Sequence, residues 1–276
     1  MKNLKDNLLS KIIEISRVAG DEILDIYGSE EFKVTSKADD SPLTKADIAS
    51  HKIIKEALNK ISPSIPILSE EESEISFKER SLWKKYWLVD PLDGTKEFIN
   101  RNGEFTVNIA LIENNKSTMG VVHIPCKKET FFGDLEDGSF IIDENNNIDR
   151  LNINMKNDEQ ILLVSRSHLN EDQRRFLADQ NEFTVMNRGS SLKFCLVASG
   201  IADVYIRLGP TSEWDTAAGE AVVKSAGGIV MNIDRSEIRY NEKSHYKNKY
   251  FIAAKNEQIL EKSMLLIQKM NGIERS

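Results

Sequence analysis

Apolar positions recur with two different periods along this chain, and the change between them divides it. Leu8, Leu9, Ile12, Ile13, Ile15, Ala19, Ile23 and Ile26 fall at helical spacing and predict a long first helix. Thr44 to about Leu58 predicts a second, with Ile48, Ile53, Ile54 and Leu58 facing inward. Two apolar runs follow, Ile65-Pro66-Ile67-Leu68 and Tyr86-Trp87-Leu88-Val89, too short for helices and suited to strands. Phe105 to Ile112 alternates without a breaker, and Asn114-Asn115 turns it back into Met119 to Ile124 as a hairpin. Thr130 to Phe132 and Phe140 to Ile142 continue the antiparallel pattern. Asp143 to Asp149 is polar and Asn-rich, and marks a boundary.

Beyond it, strand-like and helix-like segments alternate. Ile161 to Val164, Phe183 to Met186, Val204 to Ile206, Ile229 to Met231 and Tyr250 to Ala253 predict strands. Asn170 to about Gln180, Ser190 to Ala198, Asp215 to Ala226 and Asn256 to Lys269 predict helices, the third stopped by Gly227. The expected fold is therefore α/β: an α+β half, residues 1–148, then an α/β half, residues 149–276.

The most chemically specific stretch is Asp90-Pro91-Leu92-Asp93-Gly94-Thr95, directly after the Tyr86 to Val89 strand. Pro91 fixes its own φ and prevents a helix, while Gly94 permits a turn that other residues resist. Asp90, Asp93 and the Leu92 carbonyl can then face one another, with the Thr95 hydroxyl beside them. Three hard oxygens in so short a span suit Mg²⁺. The competing reading is an acidic surface turn, since Asp, Pro and Gly are ordinary turn residues. A second acidic cluster, Ser69-Glu70-Glu71-Glu72, follows the Ile65 to Leu68 strand, and a third acidic position is Asp215 in Trp214-Asp215-Thr216-Ala217-Ala218-Gly219.

Composition narrows the partners. The formal charge of −7 on 276 residues opposes binding to a nucleic-acid backbone, so positive charge for a phosphate must be local. A bound metal supplies it most simply. Cys126 and Cys195 lie far apart in apolar surroundings and read as buried thiols. The four histidines lack ligand spacing. The first residues carry no signal-peptide core, and no apolar run reaches membrane-spanning length. A cytoplasmic protein is expected, with peripheral association at the inner membrane left open, as a monomer or homodimer.

These motifs resemble the Mg²⁺-dependent, lithium-sensitive phosphatases of the inositol monophosphatase superfamily. The resemblance runs from Ser36-Lys37-Ala38-Asp39 to the strand near Phe251. It includes Ser41 to Asp47 and Trp87 to Asn108. It also includes Gly209-Pro210-Thr211, and Ser165-Arg166-Ser167-His168 and Gly189-Ser190-Ser191-Leu192-Lys193-Phe194 place it nearest the 3'(2'),5'-bisphosphate nucleotidase branch. It implies a layered αβαβα fold with a metal site between the halves. It implies Glu70, Asp90, the Leu92 carbonyl, Asp93 and Asp215 as ligands of two Mg²⁺, with Asp47 available to a third, weaker ion. The triple glutamate leaves the register open on the residues alone; the resemblance selects Glu70 and leaves Glu71 to orient ligands. It also pairs Asp47 with Thr95 to polarise the attacking water, making Asp47, Thr95 and Glu70 the catalytic group. Asp47 with Thr44 equally fits a capping box, and Asp215 fits an N-cap for a helix starting at Thr216.

On the substrate side, Gly94 and Thr95 can offer backbone N–H groups to the scissile phosphate. Ser190 opens a helix whose N-terminus suits a phosphate, and Lys193 lies on the same face. The resemblance places His168, Ser190, Lys193 and Arg207 around a nucleotide and its second phosphate. The expected reaction is hydrolysis of adenosine 3',5'-bisphosphate to AMP and phosphate, with the sulfated nucleotide PAPS a further candidate. The rivals are an inositol or sugar-phosphate monoesterase and a catalytically silent phospho-ligand sensor.

Overall fold

The structure is a computed structural model and describes residues 8–29, 34–36, 42–156, 158–167 and 169–270. In chain order the first half runs α1 (Leu8–Tyr27), β1 (Val34–Ser36), β2 (Pro42–Thr44), α2 (Lys45–Ile61), β3 (Ile67–Ser69), α3 (Phe77–Arg80), β4 (Lys85–Asp93) and α4 (Thr95–Ile99). A meander follows: β5 (Thr106–Glu113), β6 (Lys116–Ile124), β7 (Glu129–Asp134), β8 (Gly138–Ile142) and β9 (Ile148–Arg150). The second half comprises β10 (Ile161–Ser165), α5 (Glu171–Asp179), β11 (Thr184–Arg188), α6 (Leu192–Ala198), β12 (Val204–Arg207), α7 (Glu213–Ser225), β13 (Ile229–Asn232), β14 (Phe251–Ala254) and α8 (Glu257–Met270).

Strands β3 to β9 form one sheet in sequential order, and a second sheet has the order β11-β10-β12-β14-β13. The first is antiparallel except for the β3/β4 pair; in the second, β10 pairs parallel with β11 and β12. Alternation along β4 explains the layering. Trp87 and Val89 face α1 and α2, whereas Tyr86 and Leu88 face α6 and α7. The second sheet covers the far side of α6 and α7, and α5 and α8 close its outer face. The result is the expected αβαβα stack. Among the described residues, no helix is long and apolar enough to cross a membrane.

Two sequence expectations need correction. Ile48 is 49% exposed, because α2 buries Ala46, Asp47, Ser50, Ile54 and Leu58 on the opposite side of the helix. Cys126 is exposed, since it sits in a short 3-10 turn after β6, while Cys195 is buried as read. The Asn-rich Asp143 to Asp149 stretch holds the turn into β9, which pairs with β8 as an edge strand.

One close approach sets the height of the central helix. A Cβ at Gly120 on β6 would lie 2.3 Å from the Ala218 carbonyl oxygen of α7. Glycine there lets α7, which carries Asp215, lie directly on the first sheet.

Candidate active site

β4 does not stop at Val89 as its apolar run suggests; it continues to Asp93 with an irregularity. Register with β5 is regular from Lys85↔Glu113 to Asp90↔Asn108 and shifts before Asp93↔Thr106. The shift brings Asp90 and Asp93 into one cavity while Pro91 and Leu92 bulge. Two contacts hold the bulge: the Ser50 hydroxyl donates to the Pro91 carbonyl at 2.7 Å, and the Leu92 N–H donates to Asp90 Oδ1 at 3.1 Å. The turn falls at Gly94, whose φ of +92° lies in the left-handed region. α4 begins there, so the N–H groups of its first turn have no intrahelical acceptor.

Thr95 starts α4 and points back across the bulge. Its hydroxyl lies 3.3 Å from Asp47 Oδ1 and 3.4 Å from the Leu92 carbonyl oxygen. The other Asp47 oxygen accepts from the Thr44 N–H at 2.8 Å and the Thr44 hydroxyl at 2.6 Å. Asp47 is therefore both capping residue and partner of Thr95, and the two uses fall on different oxygens.

Glu70 follows β3, which runs parallel to β4. Its N–H donates to the Val89 carbonyl at 3.1 Å, and the Ser69–Glu72 turn closes through Glu72 N–H to Ser69 O at 3.1 Å. α2 braces the turn: His51 Nδ1 lies 2.9 Å from Ser69 Oγ, and Lys55 pairs with Glu72. Asp215 arrives from the other half. It is not an N-cap; Ser212 is, and Asp215 is the third helical residue of a capping box, with Ser212 N–H donating to its Oδ2 at 2.7 Å. One carboxylate oxygen each from Glu70, Asp90 and Asp215 lies within 4.8 Å of the others. Burial, and then the charges of Asp93 and Glu70, push the Asp215 carboxyl well above the usual carboxylate range. This crowding is unfavourable alone and suits a hard divalent cation that takes oxygen ligands.

Asp93 lines the same cavity but is engaged on its α6 side. Its Oδ2 accepts from Ser191 N–H at 2.6 Å, Ser191 Oγ at 2.7 Å and Asn108 Nδ2 at 3.3 Å. Neither Ser191 nor Asn108 stands out in the sequence, because both act through side-chain bonds between distant strands and helices. The cavity, about 350 Å³, opens between the two halves.

The same cavity is lined by the expected cations, in an unexpected state. Ser190 precedes α6 with φ +43°, and Ser191 is the N-cap, so Ser190 does not open the helix. Lys193 is 3% exposed and turns back on its own loop, donating to the Ser190 carbonyl at 2.6 Å and the Arg188 carbonyl at 3.2 Å. Burial lowers its ammonium to about 8, against the opposing attraction of Asp93. Arg207 is also buried, and its Nη2 donates to the Pro210 carbonyl at 2.8 Å. Phe194, Tyr205 and Phe251 complete the wall, with Lys193 Nζ 5.1 Å from the Tyr205 ring centroid. Lys96 and Lys247 also line the cavity; as isolated lysines in polar stretches they carry no sequence signal. His168 lies outside the described residues.

The chain belongs to the inositol monophosphatase family, whose model matches residues 4–271. It is similar to the 3'(2'),5'-bisphosphate nucleotidase CysQ of Salmonella typhimurium, 42% identical over 245 residues, covering 88% of this chain and 98% of the relative. The CysQ nucleotidase of Buchnera aphidicola is 41% identical over 242 residues, covering 87% and 90%. Among solved structures it resembles CysQ from Bacteroides thetaiotaomicron, with 40% identity, a TM-score of 0.79 and coverage of 90% and 97%.

Proposed function

We propose that this chain is a Mg²⁺-dependent 3'(2'),5'-bisphosphate nucleotidase that hydrolyses the 3'-phosphate of adenosine 3',5'-bisphosphate to AMP and phosphate, and that PAPS is a further substrate. One observation carries the reading. One cavity is lined by both an acidic oxygen cluster, Glu70, Asp90 and Asp215, and two buried cations, Lys193 and Arg207. A substrate with one reacting and one retained phosphate satisfies both.

Glu70, Asp90, the Leu92 carbonyl, Asp93 and Asp215 would hold the metal, their four negative charges balancing two Mg²⁺, with Asp47 available to a third ion. Bound Mg²⁺ supplies positive charge at the phosphoryl group and acidifies water there. Asp47 accepts the Thr95 hydroxyl proton in a hydrogen bond, which turns the Thr95 oxygen lone pairs toward the attacking water. Thr44 fixes the Asp47 rotamer through the second oxygen. The first-turn N–H groups of α4 face the reacting phosphate. Lys193 and Arg207 hold the second phosphate, aided by Ser190 and His168, and the Phe194, Tyr205 and Phe251 wall excludes water beside the nucleoside.

An inositol or sugar monophosphate would leave Lys193 and Arg207 without an anion, so that reading ranks second. A silent sensor would need none of Glu70, Asp90, Asp93, Thr95 and Asp215 kept together. The test is phosphate release by the purified protein from adenosine 3',5'-bisphosphate and from inositol 1-phosphate, with and without chelator. The expected result is a kcat/KM at least about tenfold higher on the bisphosphate, abolished by chelation. Equal or faster turnover of inositol phosphate overturns the nucleotidase reading.

A further inference from the structure

The two sides of the acidic cluster come from opposite halves of the chain, and the segment 240–248 touches both. Tyr246 has two working ends. Its hydroxyl donates to the Ser73 carbonyl at 2.6 Å, three residues beyond Glu70. Its backbone carbonyl accepts from the Glu213 N–H at 2.8 Å, two residues before Asp215. Its ring packs on Trp214 with centroids 5.0 Å apart. The rest of the segment is fastened in the same directions. On the α7 side, Asn241 N–H donates to Glu213 Oε2 at 2.9 Å, and Asn248 Nδ2 donates to the Ser212 carbonyl at 2.7 Å. On the Glu70 side, buried Arg80 of α3 donates to the Lys243 and Ser244 carbonyls at 2.8 and 2.9 Å. The Arg80 guanidinium carbon also lies 4.3 Å from the Tyr246 ring centroid.

We propose that Tyr246 is a positioning residue for metal binding: its phenol spans from the turn that presents Glu70 to the helix start that presents Asp215, and so sets their separation. This rests on the reading above, in which those two carboxylates hold the same divalent cation. A Tyr side chain suits the task because it is long, rigid and hinged at only two torsions. The consequence depends on ion size. Mg²⁺ requires near-ideal octahedral contacts at about 2.0–2.1 Å, whereas Ca²⁺ accepts irregular contacts at about 2.3–2.6 Å. A loosened spacing therefore penalises Mg²⁺ more than Ca²⁺.

The test is calorimetric titration of the metal-free full chain with Mg²⁺ alone and with Ca²⁺ alone. Tyr246→Phe removes only the hydroxyl and keeps the ring contacts; far-UV circular dichroism checks its fold. Loss of a single hydrogen bond predicts a Mg²⁺ Kd about three- to tenfold weaker, with Ca²⁺ changed less than about twofold. At saturating Mg²⁺, kcat and the KM for the nucleotide should stay within about twofold. Tyr246→Leu, which also removes the ring, should weaken Mg²⁺ further. Unchanged Mg²⁺ affinity in Tyr246→Phe, beside lost affinity in Asp215→Asn, overturns the positioning role and leaves the ligand assignment standing. Equal losses for both ions overturn it too, because they report general loosening. Asp215→Asn retaining normal Mg²⁺ affinity overturns the ligand assignment and this inference with it.

Discussion

Replacing Lys193 with Met separates what this residue does for the ligand from what it costs the fold. The ammonium is buried, and burial lowers its pKa from the ordinary 10.5 to about 8. At about 1.36 kcal/mol per unit, the charged form costs the folded state roughly 3 kcal/mol. The sign follows from linkage. The folded chain binds this proton more weakly than the unfolded chain, so the cost is complete below pH 8 and is relieved as pH rises toward 10.5. Lys193→Met removes the cost but leaves the Arg188 and Ser190 carbonyls without their charged donor, which returns about 1.5–3 kcal/mol for each bond at most. The two bonds together match or exceed the relieved cost, so the melting midpoint at pH 7 should stay level or fall by less than about 10 °C. The rise of wild-type stability between pH 8 and 10.5 should flatten in the variant.

Activity should respond differently. Two of the three ammonium protons reach backbone carbonyls, which leaves one for an anion. Losing a charge-assisted bond to the second phosphate predicts a fall of roughly ten- to a hundredfold in kcat/KM on adenosine 3',5'-bisphosphate. On 3'-AMP, which lacks that phosphate, the change should stay below about threefold. Steady-state phosphate release on both substrates is the assay. Equal losses on the two would refute the reasoning and return Lys193 to a purely structural role.

The two aspartates of the bulge should part in stability while agreeing in activity: Asp90→Asn and Asp93→Asn both abolish turnover, but only the first leaves the metal-free melt unchanged or higher. Asp93 accepts from Ser191 and Asn108, so its loss should lower the midpoint by several degrees, read by differential scanning fluorimetry without metal. Glu70→Gln should weaken Mg²⁺ activation by at least about tenfold and Glu71→Gln by far less; the reverse order would move the ligand to Glu71. Thr95→Val should lower kcat by about 10²–10⁴ with little change in nucleotide KM, and a KM effect alone would remove Thr95 from the chemistry. Li⁺, small and hard but singly charged, should inhibit at millimolar levels against K⁺ at matched ionic strength, and insensitivity there would count against the lithium-sensitive phosphatase reading.

What could be read from the chain divides by the distance over which each residue is determined. The Asp90 to Thr95 turn is local: Pro91 and Gly94 dictate its backbone, so its carboxylates were identifiable as a cluster. The helices α1, α5 and α8 and the strands of both sheets except β9 follow from periodicity, and the layered stacking came with the family resemblance; β9 reads as a polar boundary because its residues are exposed at the sheet edge. Even there the turn falls later than the apolar run suggests, because β5 keeps β4 paired as far as Asp93. Periodicity also fails where the buried stripe is small and polar. Ala46, Asp47 and Ser50 form the inner face of α2 beside Ile54 and Leu58, so apolar Ile48 is left outside.

The residues that remain illegible are determined by partners far away in sequence. The resemblance assigns Lys193 to a second phosphate, but nothing local shows its burial, which comes from the left-handed Ser190 and the aromatic wall of Tyr205 and Phe251. Segment 240–248 has no apolar period at all. Its course is set by Arg80, Ser73 and Glu213, none of which is a neighbour in the sequence. Such a segment shows neither strand nor helix signal, because its hydrogen bonds run to other elements instead of along itself. That same property lets it join the Glu70 turn to the Asp215 helix. A regular element placed there would have spent its backbone groups on its own ladder or helix, and would have had no carbonyl or N–H left to fasten the two halves of the site.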